Sequence, residues 1–303
     1  MFDGISAGPA LFFPERWRRQ PLEPVEIDWT HPLARNLRFC VVFNQGAGKP
    51  IDLVRRRKAA TVSTAVAWRS GPGGLTQAWT DASSDYYPRD AFMEPSTGNG
   101  VSVLARLRRT GTLAAWVRPF NKTNNNGASV PFQSYGFNYN PNGNGQNNVL
   151  GGFNVGGTFL AVPDNGFVGA SFGDTAIEHT AIHTVTTTSS RLYKDNVEMA
   201  SVSYSPNPIT YDTTSTGNLI VNGASSASLS VPGFFDIYWC AVWGHVLSAS
   251  ERWLAVHEPY AMFRPVRPRT IFFVSEGGEP PPVPSLFERG FGRGVLRGIG
   301  GGI

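Results

Sequence analysis

The sequence of 303 residues predicts an all-β fold, a two-sheet antiparallel jelly-roll sandwich with one short C-terminal helix. Short alternating apolar segments recur at intervals of about 8 to 15 residues, with no helical runs between them. The 34 glycines and 23 prolines favour loops and short strands over helices. One segment near the C-terminal end, residues 237–243, is apolar on both faces. Such a strand needs a layer of protein on each side, which a sandwich with additional cover supplies.

This apolar strand alternates with period two. We expect two opposite faces, one formed by Ile237, Trp239, Ala241 and Trp243 and the other by Tyr238, Cys240 and Val242.

A short helix follows. Ser248 and Glu251 have the spacing of a capping box, in which each side chain binds a free backbone N–H at the helix start. Pro259 ends the helix because proline cannot donate the next hydrogen bond. The helix is therefore about two to three turns long.

Alternation predicts many further strands. Asp195 and Asn196 predict a tight hairpin turn, because both residue types tolerate positive φ angles. Residues 121–148 hold ten asparagines and few aliphatic residues, which predicts a long surface loop or a polar flap. The predicted strands lie at 37–43, 60–68, 75–80, 84–88, 101–107, 112–118, 149–154, 158–162, 167–172, 180–187, 191–194, 197–204 and 218–222.

Composition divides the chain into four regions. We predict an extended N-terminal arm (1–30), the sandwich (31–262), a basic strap with a proline-rich linker (263–284) and a Gly/Arg-rich tail (285–303). The tail repeats with period four, and the cost of glycine in a helix favours an extended form laid on a partner. A disordered tail and an arginine-glycine segment that binds nucleic acid remain open alternatives.

Charge and cysteine content narrow the class of protein. The formal net charge is +4, and because four of the 26 basic residues are lysine, 22 are arginine. This bias favours assembly contacts over nucleic acid, although biased base composition of the gene explains it equally well. Cys40 and Cys240 are expected to be buried thiols. The N-terminus does not have the pattern of a signal peptide, and no stretch has 18 consecutive apolar residues, so we expect a soluble protein made in a cytoplasm.

We find no catalytic motif in the sequence. Neither HExxH, GxSxG nor a phosphate-binding glycine loop occurs. His179 and His183 share one face of a strand, but a metal site would need a third ligand such as Asp174 or Glu178, and surface histidines are the preferred interpretation. We therefore expect a non-enzyme without cofactor or metal.

Several segments together carry a resemblance to a known family. DWTHPLARNLRFCVVFNQGAG (28–48) resembles the opening strand of laminin G-like jelly-roll domains, of the concanavalin A-like lectin superfamily, as they occur in bacteriophage proteins. SDYYPRD (84–90) and TLAAWVRP (112–119) are similar to later strands of that family. Residues 179–204 are similar to its hairpin, with Asn196 replacing the usual glycine, and 239–263 to its closing strand and helix.

The resemblance implies that the first and last strands pair, 37–43 with 237–243, so that Cys40 and Cys240 lie close together. One face of this pair then meets the second sheet, and the closing helix or the N-terminal arm covers the other. Some family members bind calcium through loop aspartates. Asp164, Asp174 and Asp212 are the acidic loop candidates here, and we assign no metal.

The resemblance favours a bacteriophage virion structural protein, either a head decoration or a tail accessory protein, made in the host cytoplasm. Its partners would be other virion proteins and further copies of itself, bound through the aromatic and basic termini. No membrane or nucleic-acid partner is expected. The predicted assembly contacts are Phe12, Phe13, Trp17, Phe287, Arg289, Phe291, Arg293 and Arg297.

The alternative is a carbohydrate-binding module of a tail fibre or receptor-binding apparatus that recognises host surface polysaccharide. Sugar sites stack a pyranose on an aromatic ring and surround it with polar groups. Aromatic residues near polar loops are the candidates, namely Trp68, Trp79, Tyr86, Tyr87, Tyr135 and Tyr139. Burial in the core competes with this role for each of them.

Overall fold

The computed structural model divides the chain into two units, Met1–Val266 and Arg267–Ile303, and the residues it describes all belong to the first. The described ranges are 17–61, 66–79, 85–94, 100–110, 117–124, 133–141, 147–155, 158–162, 170–171, 177–206, 217–223 and 235–266.

The described residues form strands, the α-helix α1 (Ala249–His257) and two short 3₁₀ turns at Pro32–Ala34 and Ala91–Met93, and Trp17 and Arg18 are helical as well. In chain order the strands are β1 (Val25–Ile27), β2 (Leu37–Val42), β3 (Ile51–Asp52), β4 (Arg57–Lys58), β5 (Ala60–Thr61), β6 (Val66–Gly71), β7 (Gly74–Trp79), β8 (Asp85–Tyr87), β9 (Val101–Arg109), β10 (Val117–Asn124), β11 (Gln133–Pro141), β12 (Asn147–Val155), β13 (Thr158–Val162), β14 (Ala170–Ser171), β15 (His179–Val185), β16 (Ser189–Lys194), β17 (Val197–Ser203), β18 (Gly217–Gly223), β19 (Phe235–Trp243) and β20 (Phe263–Pro265).

Two antiparallel sheets form the sandwich, as the sequence predicts. One sheet has six strands in the order β17-β16-β15-β9-β19-β2. The other has eight, in the order β13-β12-β11-β10-β18-β8-β5, with β14 paired to β12. Three two-stranded ribbons, β1-β20, β3-β4 and β6-β7, accompany them. The all-β prediction is therefore confirmed.

The inner core lies between the two sheets. Phe39 of β2 makes an edge contact with Tyr87 of β8, with ring centroids 4.8 Å apart, and stacks on Phe120 of β10 at 5.8 Å. The three rings belong to one buried apolar cluster to which both sheets contribute. Burial of this area is the main source of the sandwich's stability.

The first and last strands of the body are neighbours, as the resemblance implies. Strand β19 pairs antiparallel with β2, from Trp239 opposite Val42 to Trp243 opposite Leu37. Cys40 and Cys240 lie on these adjacent strands and are buried free thiols, but they point to opposite faces of the sheet, because one belongs to the outer cluster and the other to the inner. Burial raises the pKa of both thiols.

One expected facing in β19 is wrong. Trp239, Ala241 and Trp243 lie in the outer cluster, but Ile237 joins Cys240 and Val242 in the inner one. The pairing register between β19 and β9 shifts between Ile237 and Trp239. Such a bulge adds one residue to the strand and reverses the alternation beyond it.

The outer face of the six-stranded sheet is covered by the chain's own segments, the N-terminal segment and the closing helix together. Val25 and Ile27 of β1, Ala255 of α1 and Phe263 of β20 pack in the outer cluster against Trp239 and its neighbours. Residues 17–30 are thus part of the body, although the sequence predicts an arm up to residue 30. Likewise β20, the start of the predicted strap, pairs with β1.

The predicted hairpin and helix are confirmed. Asp195 and Asn196 have φ angles of 50° and 68° and join β16 to β17. Ser248 and Glu251 form the capping box, and α1 has nine residues. No described helix has both the length and the apolar content that a membrane span requires.

The asparagine-rich region is wrongly predicted as loop or flap. Strand β11 runs through it and pairs with β10 and β12. Tyr135 and Phe137 alternate along β11 and are fully buried in the inner core. These two aromatic rings lie on one face of the strand and supply enough apolar area to bury it. Composition averaged over the whole segment does not show this.

Candidate functional site

A groove of about 370 Å³ opens on the outer side of the six-stranded sheet, between residues 17–25 and 260–265. This volume is at the lower end of the range for small-molecule sites. Its walls combine aromatic, aliphatic and charged side chains. The lining residues are Trp17, Arg19, Gln20, Pro21, Leu22, Glu23, Val25, Tyr260, Phe263 and Pro265.

The first wall begins at the helical residues Trp17 and Arg18, continues without regular structure and ends in β1. Pro21 and Pro24 restrict the backbone and remove two N–H donors, so this part of the chain has no ladder of its own. Trp17 is partly exposed, and its carbonyl accepts a hydrogen bond from the Tyr260 N–H at 2.9 Å. Arg19 and Glu23 are exposed on this wall.

The second wall comes from the turn after α1 and from β20. Tyr260 and Phe263 pack on the indole of Trp239, with ring centroids 6.5 Å and 6.0 Å away. The β1-β20 ribbon joins the two walls, and an ion pair of 2.9 Å between Arg264 and Glu26 lies across it. The ribbon therefore fixes the spacing of the walls at one end of the groove.

A network of buried charges adjoins the floor of the groove. Arg106 forms an ion pair with Glu178, and both are close enough to Tyr260 to affect its titration. Burial raises the pKa of the Tyr260 phenol far above its usual value. The phenol oxygen is buried and has no hydrogen-bond partner among the described residues.

The neighbouring Asp236 carboxylate is fully buried between two arginines. Its Oδ1 accepts from Nε of Arg69 at 2.7 Å, and its Oδ2 accepts from Nε of Arg108 at 3.1 Å. Gly73, at the tip of the β6-β7 ribbon, lies against the side chain of Glu178 in this network. A Cβ on Gly73 would lie 1.9 Å from a carboxylate oxygen of Glu178, so the position admits only glycine without rearrangement.

The groove offers the partly exposed ring of Trp17 together with a cation, Arg19, and an anion, Glu23, at its edge. This chemistry suits a ligand with one apolar face and polar edges. Among the described residues, no three His, Cys, Asp or Glu side chains are placed to hold a metal ion. Asp164, Asp174 and Asp212 lie outside the described residues.

The predicted glycan-binding aromatics do not come together at this groove. Tyr87 and Tyr135 are fully buried, and their hydroxyls donate to the carbonyls of Pro50 and Met93, so neither ring can stack on a sugar. Trp68 is partly buried against the inner core and donates from Nε1 to the Gly48 carbonyl at 3.1 Å. Trp79, Tyr86 and Tyr139 lie on β7, β8 and β11, and their side chains are outside the described part.

Of the predicted assembly residues, the structure describes Trp17 alone. It contacts its own chain at Tyr260 and lines the groove. The others, Phe12, Phe13, Phe287, Arg289, Phe291, Arg293 and Arg297, lie outside the described residues.

Sequence reasoning also missed features of the surface and the core. Trp29 and Trp253 are 57% and 46% exposed, more than a tryptophan in the core would be. His183, expected at the surface, is fully buried, because its face of β15 meets the second sheet. The groove itself joins residues about 240 positions apart, and the one sequence signal for it is that both walls are rich in aromatic and basic residues.

Comparisons with known proteins show the fold. Neither a protein-family model nor a curated protein matches the sequence. The structure is similar to a *Trypanosoma rangeli* sialidase, solved in complex with a difluoro sugar acid, with a TM-score of 0.51, 13% identity, and coverage of 82% of this chain and 38% of the sialidase. It is also similar to the binding domain of Paraclostridial Mosquitocidal Protein 1, with a TM-score of 0.51, 15% identity, and coverage of 73% of this chain and 52% of that domain.

The first of the matched structures is likewise a *T. rangeli* sialidase complex, with a TM-score of 0.50 and 12% identity, and this chain spans about a third of its length. At these identities the similarity establishes a shared β-sandwich and no more.

Proposed function

We propose that the chain is a carbohydrate-binding β-sandwich module without catalytic activity, and that the groove between residues 17–25 and 260–265 holds the sugar. The observation that carries the proposal is the groove itself, in which the partly exposed Trp17 stands beside the exposed Arg19 and Glu23, with the buried rings of Tyr260 and Phe263 beneath. An aromatic wall binds the apolar face of a pyranose, and charged side chains bind its hydroxyls.

The volume of about 370 Å³ fits one or two sugar rings, such as a terminal unit of a polysaccharide. The shared sandwich with a sialidase and with the binding domain of Paraclostridial Mosquitocidal Protein 1 supports a binding module, although it specifies no ligand. Arg19 is exposed on one wall and favours sugars that carry a carboxylate.

A glycan array of neutral and acidic sugars, probed with the labelled full chain, tests the proposal. We expect binding that Trp17→Ala weakens about tenfold, because the substitution removes one aromatic wall. Trp253→Ala is the matched control, because Trp253 is exposed on α1 away from the groove lining, and it should bind like the wild type. Absence of binding, or equal weakening by both variants, would overturn the proposal.

The virion role and the laminin G-like membership stay predictions. The resemblance in sequence supports them. The first wall and β20 pack on the body of the protein, so these residues do not serve as free arms. Their test is deletion of residues 285–303, which should leave a folded chain that no longer joins particles. Normal incorporation of the truncated chain would contradict the virion role.

A further inference from the structure

Gln20 is a buried polar side chain between the first wall and the body of the protein. It is 5% exposed. The two hydrogens of its Nε2 are shared among three carbonyls within hydrogen-bond distance, those of Phe43 at 3.0 Å, Leu75 at 2.9 Å and Tyr238 at 3.2 Å. Its Oε1 accepts from the N–H of Leu75 at 2.6 Å. One amide therefore joins the wall to three strands or strand ends.

These partners are backbone groups at irregular places in the sheet. Phe43 follows the last residue of β2, and Tyr238 lies at the bulge of β19, where its carbonyl also accepts from the Phe43 N–H at 2.9 Å. Leu75 of β7 offers both its N–H and its carbonyl to the Gln20 amide, as it would to a neighbouring strand. Buried backbone groups need such partners, because leaving one unpaired costs about 1 to 3 kcal/mol.

A second side-chain amide, from the body of the protein, donates hydrogen bonds to the backbone of the same wall. Asn44, which is 6% exposed, donates from Nδ2 to the carbonyls of Pro21 at 3.0 Å and Glu23 at 2.9 Å. The wall contains prolines and cannot form a ladder here, so side-chain amides take the place of strand pairing.

The β6-β7 ribbon leaves room for the Gln20 side chain. Gly74 has a φ of 121°, and a Cβ at this position would lie 2.3 Å from Oε1 and 2.8 Å from Cβ of Gln20. Any other residue here would displace the amide and strain the backbone.

We infer that Gln20 is the positioning residue of the groove. It holds the segment that carries Trp17, Arg19 and Glu23 at a fixed distance from Tyr260 and Phe263. For its effect on a ligand the inference rests on the proposed function, whereas its effect on the wall can be measured without a ligand.

Hydrogen exchange of the full-length chain, followed by mass spectrometry, tests the effect on the wall. Gln20→Met keeps the volume and removes the hydrogen bonds. We expect about tenfold faster exchange in peptides covering 17–28 and 258–266. The matched control is Tyr204→Phe, which removes the two hydrogen bonds from the Tyr204 hydroxyl to the carbonyls of Thr186 and Ser189, beyond β17 at the opposite edge of the sheet from β2.

Tyr204→Phe should instead speed exchange in residues 186–191 and 200–206 and leave 17–28 unchanged. Unchanged exchange of the wall in Gln20→Met, or the same pattern in both variants, overturns the inference. If Gln20→Met does not fold, Asn44→Ala tests the same wall with the milder loss of two hydrogen bonds.

A binding measurement adds the functional consequence. With a glycan found on the array, Gln20→Met should weaken binding about tenfold, while Tyr204→Phe stays within about twofold of the wild type. If the wild type binds no glycan, the proposed function fails and the exchange experiment still decides the positioning role. If the wild type binds and Gln20→Met binds equally well, the positioning role fails and the proposed function stands.

Discussion

The two faces of the six-stranded sheet are held by different means. The inner face meets the second sheet through a continuous apolar cluster, in which Phe39, Phe120 and Ile237 are fully buried. The outer face is apolar around Trp239, but toward Asp236 it becomes a network of ion pairs and amide hydrogen bonds. The candidate groove lies on this mixed face.

The difference reflects what covers each face. A sheet can cover a sheet with area alone, because both surfaces are regular and repeat with the same period. Short segments such as the first wall, α1 and the β6-β7 ribbon bury little area each, so named hydrogen bonds determine where they sit. A binding site needs side chains held at fixed positions. The groove accordingly forms where short, hydrogen-bonded segments cover the outer face of the sheet.

Asp236→Ala should have the largest effect at neutral pH and tests whether the outer face depends on specific polar groups. The substitution leaves the guanidinium groups of Arg69 and Arg108 without their shared carboxylate. Because both arginines are partly exposed, we expect a loss of about 3 kcal/mol in the free energy of unfolding, the lower end for a broken buried pair.

Urea unfolding measures this loss. Glu198→Ala is the control, because it breaks an exposed ion pair with Arg191 and should cost less than about 1 kcal/mol. Equal losses in the two variants would mean that the outer face is held by apolar area alone.

Acid should weaken the inner face through His183. This imidazole is fully buried, its Nε2 lies 2.7 Å from the Ser190 hydroxyl, and burial lowers its pKa from 6.5 to about 3. The unfolded chain therefore binds one more proton than the folded chain between these two pH values. The contribution of His183 to the free energy of unfolding is therefore fully present above pH 6.5. Below that pH the free energy of unfolding falls by about 1.4 kcal/mol per pH unit, until the folded state also protonates near pH 3.

The variant His183→Gln isolates this contribution, because glutamine can still bind Ser190 but does not titrate. Unfolding curves between pH 7 and pH 4 should show a shallower loss of stability for the variant than for the wild type. Parallel pH profiles would show that His183 does not couple the inner face to acid.

The inner face was the more predictable from sequence. Period-two alternation places Phe39 and Val41 in strands, and turn chemistry places Asp195 and Asn196, because both signals are local. The bulge at Ile237 was not predictable, since a register shift is a property of paired backbones and leaves no mark in the residue types. For β11, the many asparagines outweighed the informative pair Tyr135 and Phe137.

The groove was the least predictable feature. Its walls are far apart in sequence, and Gln20 shows no pattern that would distinguish it from a solvated glutamine. The prolines of the first wall predicted an extended arm, but Trp17 and Arg18 are helical and the strand of this segment covers Val25–Ile27. The sequence could not show that the segment returns to its own sheet, because the acceptors of Gln20 are backbone carbonyls on three different elements.

Removal of the helix cap should have the smallest effect of the three. The Ser248 hydroxyl accepts from the Glu251 N–H at 3.3 Å, and the Glu251 carboxylate accepts from the Ser248 N–H at 2.8 Å. Helix α1 covers the apolar part of the outer face, so Ser248→Ala should cost about 1 kcal/mol. Ser248→Asp restores the side-chain acceptor and should recover most of the loss, while Ser203→Ala, on exposed β17, should cost about 0.5 kcal/mol or less. A loss in Ser248→Ala that matches Asp236→Ala would mean that α1 carries the outer face, and the polar network would then be secondary to it.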